Sequence, residues 1–151
     1  MSLFKDICSK VETFLLDSGT GLFTRQDVNF FTIKHGSTVI HIFIQDYGDT
    51  ETLVKCRAYV VNGAELTHSL LKKLLLMNSE DLRFGKFGID KNGYIVLDHV
   101  MLGSTLDKEE LVCAVKEIGM MADELDDMLV KHYGGKTSIE TSVDRYEERD
   151  S

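Results

Sequence analysis

Over residues 3–15 the apolar side chains Leu3, Phe4, Ile7, Cys8, Val11, Phe14 and Leu15 recur at helical spacing. That period predicts a helix with one face turned toward a core. Asp17-Ser18-Gly19-Thr20-Gly21 is expected to end it. The period then changes. Residues 28–34, 38–46 and 51–61 read as strands, separated by the turns His35-Gly36-Ser37 and Tyr47-Gly48-Asp49. Loops this short between β-rich runs imply an antiparallel meander. In the middle strand Ile40, Ile42 and Ile44 point one way, and Val39, His41 and Phe43 point the other. Both faces are largely apolar, so both are expected to be covered, by helices or by another subunit.

Asn62 then reads as an N-cap, with Glu65 at the third helical position and Val61 and Leu66 as the flanking staple. A leucine-rich helix follows to about Met77, carrying Leu66, Leu70, Leu71, Leu74, Leu75 and Leu76. Its apolar arc is wider than one packed face needs. Residues 82–97 read as two short strands joined by a turn. Gly85 and Gly88, set among Phe84 and Phe87, mark a bulge or a close backbone approach. Asp107 repeats the cap logic, with Glu110 in the box and Leu106 and Leu111 as staple. Leu111, Val115, Ile118, Ala122, Leu125, Leu129 and His132 line one side of the last helix, with Glu110, Glu117 and Glu124 on the other. Gly134-Gly135 is expected to stop it. The expected architecture is a single α+β domain over residues 1–135, a five-stranded antiparallel sheet with three helices in the order α-β-β-β-α-β-β-α. Residues 136–151 are polar and charged and are expected to form a disordered tail.

Composition narrows the function. The net charge is -8, and residues 107–151 hold six Lys and Arg against thirteen Asp and Glu. Such a chain repels phosphate backbones, so neither nucleic acid nor an anionic membrane is an expected partner. The three cysteines, Cys8, Cys56 and Cys113, make no CxxC spacing and argue against a disulfide scaffold. No stretch has the roughly 20 apolar residues a spanning helix needs, and the N-terminus does not read as a secretion signal. A cytoplasmic protein is expected.

Candidate chemistry is sparse. His35, His41, His68, His99 and His132 form no HxH, HxxxH or HExxH spacing. His41 and His99 fall in strands and could meet in space, with a structural role the expectation. Asp123, Glu124, Asp126 and Asp127 spread around one helix and read as a solvated face rather than a cation site. There is no GxSxG elbow, Walker loop or GxGxxG fingerprint. Lys86 sits between two phenylalanines, but local positive charge is too sparse for base stacking. Neither catalysis, a metal nor a cofactor is expected.

Four runs carry a family likeness: Leu82-Arg83-Phe84-Gly85-Lys86-Phe87-Gly88-Ile89-Asp90, Gly93-Tyr94-Ile95-Val96-Leu97, Leu106-Asp107-Lys108-Glu109-Glu110-Leu111 and Ala122-Asp123-Glu124-Leu125-Asp126. In these the chain resembles the YbjN family, whose members share the fold of type III secretion chaperones. Residues 1–60 agree in pattern only. The resemblance implies a twisted antiparallel sheet flanked by helices, a homodimer, and binding of a protein or peptide partner without turnover, in a chaperone-like or regulatory role. The surplus of apolar surface points the same way, since a self-complementary face would bury it. Leu71, Leu75, Phe84 and Phe87 are the expected dimer-interface residues. Val39, His41, Phe43, His99 and Met101 are the expected partner-binding residues. The alternative is a small-molecule sensor holding its ligand between sheet and helix.

Overall fold

Period-two alternation over residues 38–44 and 51–60 sets the register of the central strands. A computed structural model describes residues 3–18 and 23–137. In chain order these form α1 (Leu3–Ser18), β1 (Phe23–Asp27), β2 (Phe30–His35), β3 (Thr38–Tyr47), β4 (Glu51–Asn62), α2 (His68–Glu80), β5 (Lys86–Ile89), β6 (Ile95–Leu102), α3 (Lys108–Tyr133) and β7 (Lys136–Thr137). All pairings are antiparallel, in the order β1-β2-β3-β4-β6-β5 with β7 beside β4.

The sheet has seven strands rather than the expected five. β1 is Phe-Thr-Arg-Gln-Asp, four of its five residues exposed, so it shows no apolar alternation. Its pairing with β2 rests on the backbone ladder, with side-chain contacts from Phe23 and Arg25 to the Phe31 ring and from Gln26 to Thr32. Val28 and Asn29 form the turn between them, which moves the start of the second strand to Phe30. β7 is two residues long, too short to carry a periodic signal, and pairs with Val61 and Asn62. It takes Lys136 and Thr137 out of the expected tail. The remainder of that tail, and the expected stop at Gly19–Gly21, lie outside the described residues.

The start of α2 is also corrected. Val61 and Asn62 belong to β4, and the N–H of Glu65 donates to the carbonyl of Tyr133. The cap is Thr67, whose hydroxyl accepts from the N–H of Leu70 at 3.1 Å. The cap of α3 is Asp107, as expected, accepting from the N–H of Glu110 at 2.7 Å.

α1 and α3 touch each other and both pack on β3 and β4. They cover one face of the sheet, which presents Phe31, Ile33, Ile40, Ile42, Ile44, Cys56, Ala58 and Leu97, all buried. Against these stand Ile7, Val11 and Leu15 of α1 and Leu111, Val115, Ile118, Ala122 and Leu129 of α3. Each fully buried aliphatic of this kind contributes roughly 1.5–3 kcal/mol. α2 lies along the β5 edge, with Leu70, Leu74 and Met77 turned inward. There Asn78 acts as a substitute strand. The N–H of Phe87 donates to its Oδ1 at 2.7 Å, and its Nδ2 donates to the carbonyl of Phe87 at 3.2 Å. This satisfies an edge that would otherwise invite pairing.

The opposite face of the sheet is open. Phe43, Val100 and Leu102 remain 41%, 46% and 46% exposed there. The expectation that both faces are covered therefore fails within a single chain, because the helices all lie on the other face or at the β5 edge.

Candidate functional site

On the open face, residues directly opposite one another form rows across the strands. Phe30 of β2 stands opposite Phe43, which stands opposite Lys55, which stands opposite Val100. The adjacent row runs Thr32, His41, Arg57, Asp98 and Lys86. Beyond Lys55 lie Leu53 and Leu102, also opposite one another.

An aromatic ladder crosses these rows. Ring centroids lie 5.3 Å apart for Phe30 and His41, 5.1 Å for His41 and Tyr59, and 5.5 Å for Tyr59 and Tyr94, each edge to face. That is the preferred geometry of ring quadrupoles. Arg57 lies 5.8 Å from the Tyr59 centroid and binds Asp98 through two contacts, at 2.7 and 2.8 Å. Such a fork holds a guanidinium in place. Between the rows is a shallow depression of about 450 Å³, lined by Phe30, His41, Phe43, Lys55, Arg57, Tyr59 and Val100 among others. The arrangement offers flat rings, aliphatic side chains and fixed charge, which suits binding. It places no nucleophile beside a base.

Of the expected partner-binding residues, Val39, His41 and Phe43 lie on this open face. His99 and Met101 point to the covered face, opposite Cys56 and Val54, although His99 also borders the depression from its strand. The anticipated meeting of His41 with His99 does not occur. His41 shares its row with Asp98, and the next residue along β6 points the other way. His99 Nδ1 accepts the N–H of Gly85 at 3.2 Å, and its ring lies 5.7 Å from that of Phe84. Burial pushes its pKa below the ordinary histidine value. Gly85 has φ 75°, and a Cβ there would lie 3.0 Å from the carbonyl oxygen of Asp98. The glycine marks a close backbone approach, as expected from its place among the phenylalanines.

Of the expected interface residues, Leu71 and Leu75 are 38% and 68% exposed on α2. With His68, Lys72 and Leu76 they line a second open depression of about 340 Å³. Phe84 is half-buried against the core, and Phe87 is buried within it.

The acidic residues of α3 are not all solvated. Asp126 is fully buried. The Ser37 hydroxyl, in the β2–β3 turn, contacts both Asp123 Oδ1 and Asp126 Oδ2, and the Ser37 N–H donates to Asp123 at 2.8 Å. Positions three apart share a helix face, which is why the two carboxylates converge. Bonding to Ser37 holds Asp123 below the usual carboxylate range, whereas burial raises Asp126. Cys8 and Cys56 are buried, and burial pushes the Cys56 thiol up to about 12. Cys113 is exposed. Among the described residues no cluster of His, Cys, Asp or Glu could hold a metal, and no helix is long and apolar enough to cross a membrane.

Lys55, Arg57, Tyr59, Tyr94 and Val100 were missed as site residues. The alternation Lys55-Arg57-Tyr59 along one strand was the available signal, since it places two cations and an aromatic on the face opposite Cys56 and Ala58.

The model of a family described as T3SS (YopN, CesT) and YbjN peptide-binding chaperone 1 matches residues 9–141. A chain in the crystal structure of the ExsC-ExsE complex superposes with a TM-score of 0.64 at 17% identity, over 85% of this chain and 97% of that one. At that identity the likeness speaks for the fold alone. No curated protein matches the sequence.

Proposed function

Because the chain belongs to the family of type III secretion and YbjN peptide-binding chaperones, we propose that it binds an extended segment of a protein partner, without turnover, on the open face of its sheet. The observation that carries this reading is the uncovered row of Phe30, Phe43 and Val100 beside the His41–Tyr59–Tyr94 ladder. A strand's width of rings and aliphatic side chains suits alternate side chains of an extended segment. Of the residues named from sequence, Val39, His41 and Phe43 serve this contact. His99 and Met101 support the sheet from behind.

The exposed leucines of α2 suit a different task. Leu71, Leu75 and Leu76 form an exposed apolar patch among the described residues, and a two-fold pairing of α2 with its copy would cover it. Phe84 and Phe87 hold the β5 edge to which α2 is fastened. The sensor alternative gains no support, because the space between sheet and helices is filled by aliphatic side chains.

A photo-crosslinking amino acid placed at position 43 or at position 75 tests both assignments. Position 43 is expected to capture a different protein, and position 75 a second copy of this chain. Capture of the same species at both positions, or none at 43 across growth conditions, would sink the division of labour.

A further inference from the structure

We propose that the partner segment carries a carboxylate within an apolar stretch, and that Lys55 receives it. This rests on the docking reading above and names the chemistry of the partner. Lys55 stands at the middle of β4, with Phe43 opposite on one side and Val100 on the other, and it lines the depression. Among the described residues its ammonium has no ion pair or hydrogen bond. The neighbouring cation is already satisfied, since Arg57 is forked onto Asp98. Lys86 donates to the carbonyls of Asn78 and Leu82. Lys34 adds a further cation beside Val39.

The carboxylates of the face do not answer Lys55. Asp98 is held by Arg57. Asp27 and Glu51 stand at its far ends, where they accept hydrogen bonds from Val28 and from Thr52 and Ser104. The centre of the open face is therefore cationic in a chain of net charge -8. A half-buried lysine between a phenyl ring and a valine gains most from a carboxylate delivered as water leaves. In an extended segment, the side chains two positions away on either side then fall toward the neighbouring apolar rows. A basic segment would meet like charge at Lys55.

The test uses the full chain and two fluorescent peptides, acetyl-Gly-Phe-Ser-Glu-Ser-Val-Gly, whose Phe and Val flank the Glu at two positions on either side, and its twin with Gln for Glu, titrated by anisotropy. The Glu peptide is expected to bind about tenfold tighter than its twin, as a charge-assisted bond implies. Lys55→Met should bring the two Kd values together, and Phe43→Asp should weaken both peptides. Equal binding of the two peptides, or a preference that survives Lys55→Met, overturns the carboxylate assignment. If the twin still responds to Phe43→Asp in that case, the docking reading stands alone. Failure of both peptides to bind, or indifference of both to Phe43→Asp, removes the docking reading as well. Light scattering on Phe43→Asp completes the set. Conversion of a dimer to a monomer would give the face to a second copy and overturn the proposal.

Discussion

Ser37 has one hydroxyl proton and two carboxylate neighbours. It can donate to one of them only, so the other contact needs a proton on the carboxyl side. The fully buried Asp126, raised by burial, is the group to carry that proton. A proton there would let Asp126 donate to Ser37 while Ser37 donates to Asp123. The two acids have opposite pH signatures. Asp123 has a depressed folded pKa, so its contribution is present above the unfolded carboxyl value and is lost as pH falls through the folded one. Asp126 has a raised folded pKa. Its contribution is full below the unfolded value and declines as pH rises through the folded one. Asp126→Asn copies the protonated shape. Urea unfolding of variant and wild type at pH 4.5 and pH 7.5 is the check. The variant should gain relative stability at the higher pH, and a difference that does not move with pH would refute the proton on Asp126. The pairing was not legible in sequence, because Ser37 and Asp126 are 89 positions apart and only the packing of α3 on the β2–β3 turn joins them.

Caps and close approaches decide the elements. Thr67→Ala should cost about 1 kcal/mol in chemical denaturation, whereas an N-cap role for Asn62 would move that cost to Asn62→Ala. Sequence placed the cap at Asn62 because a capping box is a local pattern. Strand pairing of Val61 and Asn62 with β6 and β7 is not local, and it overrides the box. Gly119 is the converse case. In a helix interior, alanine is ordinarily favoured over glycine by about 1 kcal/mol. A Cβ on Gly119 would lie 2.7 Å from the His35 ring. Gly119→Ala should therefore lower the thermal midpoint despite its better helix propensity, because overpacking typically costs about 1–3 kcal/mol. A raised midpoint would mean that the His35 ring moves aside freely.

At the scale of the whole molecule, the described residues leave two apolar surfaces exposed, the open sheet face and the α2 leucines. Leu71→Asp with Leu75→Asp is expected to yield a folded monomer by light scattering, since neither side chain is in the buried core. The far-UV spectrum should be unchanged. A monomeric wild type would show instead that the leucine patch serves something other than self-association. The family to which the chain belongs was legible in the Phe84–Gly88 run and in the cap at Asp107, whose roles are local: a strand that another backbone approaches closely, and a helix start.

Sequence alone determined the α+β class, the meander of β2, β3 and β4, the long amphipathic α3 and the lack of a local catalytic or metal motif. These follow from periods of two and 3.6 and from capping chemistry, all of which act between near neighbours. Tertiary structure decided the rest. It paired polar β1 and two-residue β7 into the sheet through backbone bonds that no side-chain pattern announces. Strand register separated His41 from His99, and the placement of all three helices left Phe43, Lys55 and Val100 on an open face. Alternation states that a strand has two faces, but which face the helices cover is settled only when distant elements pack.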